Sequence, residues 1–364
     1  MLRVIFLFIV LLHGLIHLLS FVKAFNLSEV EQLPLDISQT VGMIWLFTAL
    51  LIILLVIFVL LHKKWAWFFA IIAVISSQTL IILAWQDAKY GTLPNIVILI
   101  YAIISFASWK FDKQIKQEID SLLSQSTIPE KQVITEQIIS SLPSSVQKWM
   151  NQIGIIGKEQ IQIVYFKQRG QMKLKPEQID WVSAEAEQYV TIDKPAFLWK
   201  VNVKNMAPLV AVVGRDKFQN GEAAMTIKIE SLFPVVDIAN NNKVNQSALQ
   251  RYLLELPLYP FAAFNSYITW EKVDQNSAKA TMSYKGVSGS ATYYFSDSGE
   301  LLKISAMRYK DANENAKHIE CIGEIKSHSI INGIKLPTKI EITWVLENGP
   351  FTWYKLEIDE VTFE

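Results

Sequence analysis

Two histidines one helical turn apart, His13-Gly-Leu-Ile-His17, are the sharpest polar feature in the first hundred residues of this 364-residue chain. Spacing of i, i+4 puts both imidazoles on one face of a helix. Three kinds of chemistry are open to such a pair: hydrogen bonding inside a helix bundle, a proton or polar-ligand site, and a metal or haem. His17 lies fourteen residues beyond Arg3 and Gln78 fourteen beyond Lys64. At about 1.5 Å per residue the two reach similar depth, and Ser76-Ser-Gln-Thr79 supplies further partners. A metal is disfavoured because no Asp, Glu or Cys lies at that depth. A haem is disfavoured because two histidines on one helix face cannot ligate opposite sides of one iron. His62, beside Lys63 and Lys64, reads as an interfacial residue. No metal and no cofactor is expected.

The second half offers other candidates. Gly214-Arg215-Asp216 places a guanidinium and a carboxylate at a strand's end, either as a mutual or cross-strand salt bridge or as a headgroup or carboxylate contact. Arg251 and Glu255 are spaced to pair on one helix. Tyr252, Leu253, Leu256, Leu258, Tyr259, Pro260 and Phe261 form an apolar surface, either core packing or a lid over a lipid-sized cavity. Arg215, Arg251, Tyr252, Tyr259, Phe261 and Trp270 are the candidate ligand-binding residues, and His13, His17 and Gln78 the intramembrane polar set. Catalytic signatures fail one by one. Ser288-Gly-Ser290 lacks the strand–turn–helix context of a nucleophile elbow. His318 and His328 share a strand face if no bulge intervenes, but stand about 33 Å apart at strand rise, too far to share a metal. Gly154 and Gly157 lack the following helix a phosphate site needs. Glu185 and Glu187 look solvent-facing, and Cys321, the single cysteine, reads as a bland buried thiol. No catalytic residue is assigned, and an enzyme is the least favoured reading.

These residues need elements to position them. Four apolar stretches, Val4–Val22, Val41–Leu61, Trp65–Trp85 and Leu93–Trp109, are each close to the ~20 residues that cross a bilayer as a helix. Trp65, Trp67 and Trp109 mark one side, and Trp45, Trp85 and Tyr90 the other. The first stretch lacks a small-x-small cleavage site and is expected to remain as a helix. Arg3, Lys63, Lys64, Lys110, Lys113 and Lys116 fall on one side, against Lys23 and Lys89, which places both termini in the cytoplasm. The loop Asn26–Gln39, with Glu29, Glu31 and Asp36, is then outside. A polar connector follows. Ile115, Ile119 and Leu122 form one stripe, Thr127 and Pro129 open a helix near Glu130–Ser140, and Pro143 begins another that Gly154 and Gly157 end. From Ile161 onward, runs such as Glu185–Ile192, Phe197–Lys204 and Ala278–Tyr284 alternate in polarity with period two. Turn signals at Asn220-Gly221, Asp297-Ser298-Gly299, Asn332-Gly333 and Asn348-Gly349 separate them.

The predicted architecture is an α+β membrane protein: a transmembrane four-helix domain (1–111), a helical connector (112–158) and a curled antiparallel half-barrel (159–364). A helix near Gln246–Leu256 should plug or cover its concave face. Charge is balanced, 34 basic against 34 acidic residues. Residues 1–111 hold six and four of these, so the remainder, with 28 and 30, has no basic excess for a nucleic acid.

Gln168-Arg-Gly-Gln-Met-Lys, Trp181 with Ala186-Glu-Gln-Tyr189, Val213-Gly-Arg-Asp216, Arg251-Tyr-Leu-Leu-Glu-Leu-Pro257 and Trp270 occur in order. Together they resemble an uncharacterised bacterial family, a domain of unknown function that joins a short membrane bundle to a β-rich domain. The resemblance covers about Leu142 to Lys310. The tail, Ile331-Asn-Gly-Ile-Lys-Leu-Pro-Thr-Lys-Ile-Glu-Ile and Asp359-Glu-Val-Thr-Phe, resembles the closing strands of lipoprotein-carrier half-barrels (LolA/LolB-like), which hold acyl chains in an apolar hollow. The family carries over no catalytic residue. The expectation is a multi-pass protein of the bacterial inner membrane whose cytoplasmic strand domain binds a lipid or other amphiphile without catalysis. An interaction or scaffold module of the cell envelope is the alternative.

Overall fold

The computed structural model describes residues 2–364 apart from 31–32, 34–35, 127–131 and 208–209. Glu31 and the helix start expected at Thr127, Pro129 and Glu130 lie outside the described residues. The chain forms two compact units, Met1–Gln114 with Glu230–Leu232, and Ile115–Ile229 with Phe233–Glu364.

The first unit is built on α1 (Leu2–Ala24), α2 (Gln39–Leu60), α3 (Ala66–Leu83), the single turn α4 (Trp85–Ala88) and the part of α5 (Thr92–Ser124) up to Gln114, the rest of α5 belonging to the second unit. Four of its helices are long and apolar enough to cross a membrane. Apolar side chains cover nearly every position of α1–α3, and such all-round hydrophobicity suits a helix solvated by lipid or by other helices. α1 packs on α2 and α2 on α3. Small residues set the closest approach: a Cβ at Gly42 would lie 2.3 Å from the Cβ of Ala24, so only glycine lets α2 come so near α1. The fourth apolar stretch does not stop at Trp109. It continues without a break into the amphipathic stripe, so that α5 runs to Ser124, with Ile115 and Leu122 buried.

In the second unit the short α6 (Glu136–Ser140) and α7 (Ser144–Ile153) lead into the strands. Gly154 ends α7 at φ +74°, a left-handed cap that glycine takes without a Cβ clash. Thirteen strands follow: β1 (Ile163–Met172), β2 (Val182–Thr191), β3 (Ala196–Ala207), β4 (Val210–Gln219), β5 (Glu222–Ile229), β6 (Phe233–Ala239), β7 (Ile268–Lys272), β8 (Ser277–Tyr284), β9 (Val287–Phe295), β10 (Leu301–Tyr309), β11 (His318–Ile331), β12 (Ile334–Leu346) and β13 (Gly349–Phe363). They form one open sheet in the order β6-β5-β4-β3-β2-β1-β13-β12-β11-β10-β9-β8-β7. Each neighbouring pair runs antiparallel. Two-residue turns at Asn220-Gly221, Lys285-Gly286 and Asn332-Gly333 have both φ angles positive, the primed geometry whose twist matches that of the flanking strands.

β1 runs without a break through Gly170 to Met172. β12 begins at Ile334, because the tight turn at Asn332-Gly333 leads straight into pairing, and the register shifts near Ser327 accommodate Pro337. Those shifts also break the alternation between His318 and His328.

The sheet curls around α8 (Asn242–Glu255), which touches β4 and β5 near one end of the order and β8, β9 and β10 near the other. The turn tips meet as well: a Cβ on Gly221 would lie 2.7 Å from that of Lys285. At Gly289, where a Cβ would sit 2.6 Å from Gln250 Cγ, the missing side chain lets α8 settle on β9. The hollow is filled by the protein itself. Leu249, Tyr252, Leu253, Leu256, Tyr259 and Phe261 pack with Phe166, Trp199 and Tyr293 in one core, and α7 adds Val146, Trp149 and Met150.

Candidate functional site

Polar side chains gather in two places, one in each unit. In the strand unit the gathering point is Arg251, which α8 aims across the concave face. Its Nε donates to Glu255 Oε1 at 2.7 Å, the expected i, i+4 pair. One terminal nitrogen donates to Asp216 Oδ2 at 2.7 Å and the other to Gln188 Oε1 at 3.1 Å. Gln188 in turn donates to Glu255 Oε2 at 2.6 Å. The guanidinium carbon sits 4.9 Å and 4.8 Å from the ring centres of Phe197 and Trp199, a cation–π arrangement in desolvated surroundings. Burial raises the Asp216 carboxyl above its ordinary range, with the Arg251 charge opposing. Burial draws the Arg251 guanidinium down, but Glu255 and Asp216 more than offset it and leave it above its ordinary value.

Arg215 and Asp216 do not pair with each other. Successive strand residues face opposite sides, so Asp216 meets α8 while Arg215 turns to the other face. There its Nε lies 3.1 Å from Glu118 Oε2 of α5, nearly out of solvent, and its terminal nitrogen donates to the Ala224 carbonyl. Of the salt bridges the sequence left open, mutual or cross-strand, neither forms between these two residues; each instead has its own partner on a helix.

The remaining strand-unit candidates lie in or against the core. Tyr252, Tyr259 and Phe261 are buried. The Tyr252 hydroxyl donates to the Thr191 carbonyl at 3.1 Å and that of Tyr259 to the Tyr252 carbonyl at 2.8 Å. Trp270 Nε1 donates to the Ala263 carbonyl at 3.1 Å, its ring 4.9 Å from Tyr293. Arg251, Tyr252, Tyr259, Phe261 and Trp270 are brought together, with their polar atoms satisfied by the protein, around α8 and the segment after it. Of the two readings of this surface, core packing or a lid over a lipid-sized cavity, the packing is what these residues make: Tyr252, Leu253, Leu256, Tyr259 and Phe261 belong to one buried core.

The other polar residues of the second unit make local contacts. His318 bonds Gln246 of α8 at 2.9 Å. His328 faces Glu300 at 3.4 Å; burial and the Lys335 charge hold it below its ordinary value, with Glu300 opposing. Cys321 is buried against Arg308, and burial pushes its thiol up, away from nucleophile chemistry.

In the helical unit His13 and His17 are buried on the inner face of α1, their ring centres 4.4 Å apart. His17 Nδ1 donates to the His13 carbonyl at 2.9 Å, and His17 Nε2 lies 2.9 Å from Ser77 Oγ on α3. His13 Nε2 lies 3.2 Å from the same oxygen and 3.0 Å from Asn95 Oδ1 on α5. Asn95 donates to Gln78 Oε1 at 3.0 Å, and Gln78 to Thr92 Oγ1 at 3.2 Å. Gln78 therefore belongs to the same chain of hydrogen bonds as the histidines, but Asn95 stands between them. Sequence reasoning passed over Asn95. The signal was there: an amide inside an apolar stretch long enough to span a bilayer has to find a polar partner.

Beside this chain lies a cavity of about 520 Å³, with Ile9, Leu12, Ile16, Trp45, Ile81 and Val97 among its apolar walls and His13, His17 and Ser20 as polar lining. Asp87 and Tyr90 also line it. Gly91 keeps it open next to His13, since a Cβ there would sit 3.3 Å from His13 Cε1. Among the described residues no group of three or more His, Cys, Asp or Glu is placed to hold a metal.

Fold and sites together define a class: four apolar helices joined to a large open antiparallel sheet wrapped on one helix, with a closed polar cluster in the sheet and a cavity among the helices. The chain belongs to a family of unknown function (DUF6920), whose profile matches residues 140–363. No curated protein matches it. Among solved structures it is similar to a LolA superfamily protein from Nitrosomonas europaea, at 11% identity, covering 64% of this chain and 94% of that one with a TM-score of 0.32.

Proposed function

We propose that this chain is a non-catalytic, multi-pass protein of the bacterial inner membrane that binds a lipid or other amphiphile. The guest is held among the helices beside His13 and His17 rather than under α8. The observation that carries this reading is the cavity of about 520 Å³, apolar on most of its wall and polar where the two histidines meet it. That size and lining are typical of small-molecule sites. In a bilayer such a space is reached from the lipid, where amphiphiles are concentrated. The excess of basic residues beside Arg3, Lys63, Lys64 and Lys110 supports a cytoplasmic strand unit.

Native mass spectrometry of the full chain in mild detergent tests the reading. A lipid-mass adduct is expected on the wild type and its loss on Ile16→Trp, which fills the cavity from its wall. A bare wild-type chain, or an adduct indifferent to the substitution, overturns it. The strand unit favours a second reading for its own half, an interaction module. Its hollow is taken, and the edge strand β6 leaves Phe233 and Val235 62% and 58% exposed, an apolar edge open to a partner strand.

A further inference from the structure

The hydrogen bonds around His13 and His17 also specify which polar group a guest must carry, a step that rests on the cavity reading above. The chain of bonds is anchored at a backbone carbonyl, which can only accept. His17 Nδ1, 2.9 Å from the His13 carbonyl, therefore carries the proton. In a neutral imidazole the other nitrogen is then a bare acceptor. Neither ring has a carboxylate among its hydrogen-bond partners. His17 Nε2 must accordingly accept from Ser77, whose hydroxyl lies 2.9 Å away.

Ser77 has one proton, and that bond uses it. Its contact with His13 Nε2 at 3.2 Å is a hydrogen bond only if His13 donates. The same N–H also faces Asn95 Oδ1 at 3.0 Å, which is consistent with Asn95 directing its amide protons to Gln78. His13 Nε2 is therefore protonated, and His13 Nδ1 is left with a lone pair. That nitrogen has no hydrogen-bond partner among the described residues, although His13 is only 3% exposed and lines the cavity. An acceptor without a donor on a side chain that lines a cavity is a group a ligand can satisfy.

The remaining lining excludes the opposite polarity. Among the described residues it includes no lysine or arginine. An anionic head would meet the His13 lone pair with no cation in the lining to offset its charge.

We infer that the helical unit takes a neutral amphiphile whose polar end is a hydrogen-bond donor, a hydroxyl on a long chain or ring. His13 Nδ1 is the acceptor that reads it.

The test uses the full chain in detergent and three brominated probes with one hydrocarbon body: an alcohol, its methyl ether and the matching carboxylate. Bromine quenches a nearby indole. Trp45 lines the cavity with its ring 4.9 Å from that of His17, so the signal lost on Trp45→Phe reports the site among the other tryptophans. One neutral hydrogen bond predicts half-quenching by the alcohol at about fivefold lower concentration than by the ether, with the carboxylate weakest. His13→Leu should bring the alcohol and ether values together. Equal quenching of the wild type by alcohol and ether, or strongest quenching by the carboxylate, overturns the donor assignment and leaves the cavity standing. Absence of any quenching dependent on Trp45 removes both. The comparison on the unaltered histidines needs no variant that could fail to fold.

Discussion

The polar clusters of the two units are built on opposite plans. Around Arg251 each nitrogen of the guanidinium has a partner, two carboxylates face it, Gln188 closes the ring and two aromatic rings cover it. Around His13 and His17 the chain of bonds is neutral, runs across three helices and ends on a nitrogen with no hydrogen-bond partner among the described residues, on a side chain that lines the cavity. A cluster whose members satisfy one another fixes side chains and excludes alternatives, because breaking it leaves a buried charge exposed to low dielectric. A cluster with one end free beside a cavity can be completed by a guest. The charged residues that look most chemical in the sequence are thus the structural set, and the quieter imidazole pair is the receptive one.

The largest expected effect cuts the closed cluster. Arg251→Leu leaves Asp216 and Glu255, both half-buried, without their cation and should destabilise the strand unit by about 2–3 kcal/mol, below the cost of breaking a fully buried pair, read by urea denaturation. A loss under about 1 kcal/mol would mean that the cluster is not the brace described. Tyr259→Phe removes a single buried bond, to the Tyr252 carbonyl, and should cost about 1–2 kcal/mol in the same assay. Within the open cluster, His13→Leu leaves Asn95 Oδ1 without its donor and should cost about 1–2 kcal/mol of thermal stability while abolishing discrimination between the alcohol and ether probes. A collapse of the fold would instead make that cluster structural and erase the contrast between the units.

The smallest effect is a pH slope. His328 is held below its ordinary value of 6.5, so the unfolded chain takes up its proton first as the solution is acidified. The strand unit should lose stability as pH falls from about 6.5 toward the lowered value. Glu300 adds in the same direction further down, since hydrogen bonding from Lys335 holds its carboxyl below its ordinary range. Melting temperatures of His328→Gln should run flatter than the wild type between pH 7 and 5; parallel curves would assign the acid sensitivity to other groups.

Much of the architecture was legible before any coordinates. Period-two alternation marked most of the strands, Asn220-Gly221 and Asn332-Gly333 marked two of the primed turns, and Arg251 with Glu255 was paired from spacing alone. Lys285-Gly286 was passed over as a turn, since lysine is a weak signal for a positive φ. The alternatives that sequence left open share one cause. Arg215 and Asp216 are neighbours in sequence but lie on opposite faces of β4, so each finds its partner on a different helix, Glu118 on α5 and Arg251 on α8. The hollow expected under α8 depended on how much space large side chains would leave, and Tyr252, Tyr259 and Phe261 leave little.

Local patterning by itself determined that this chain would make four apolar helices and a long antiparallel meander, because side-chain period and turn chemistry act over a few residues. Only the tertiary structure decided that Ser77 and Asn95, 64 and 82 residues from His13, would settle which imidazole nitrogen carries a proton. It alone decided, too, that a cavity would lie among the helices while α8 packed into the curl of the sheet. Both depend on which surfaces meet once distant segments are packed, and hydrogen-bond polarity and leftover volume are properties of that meeting.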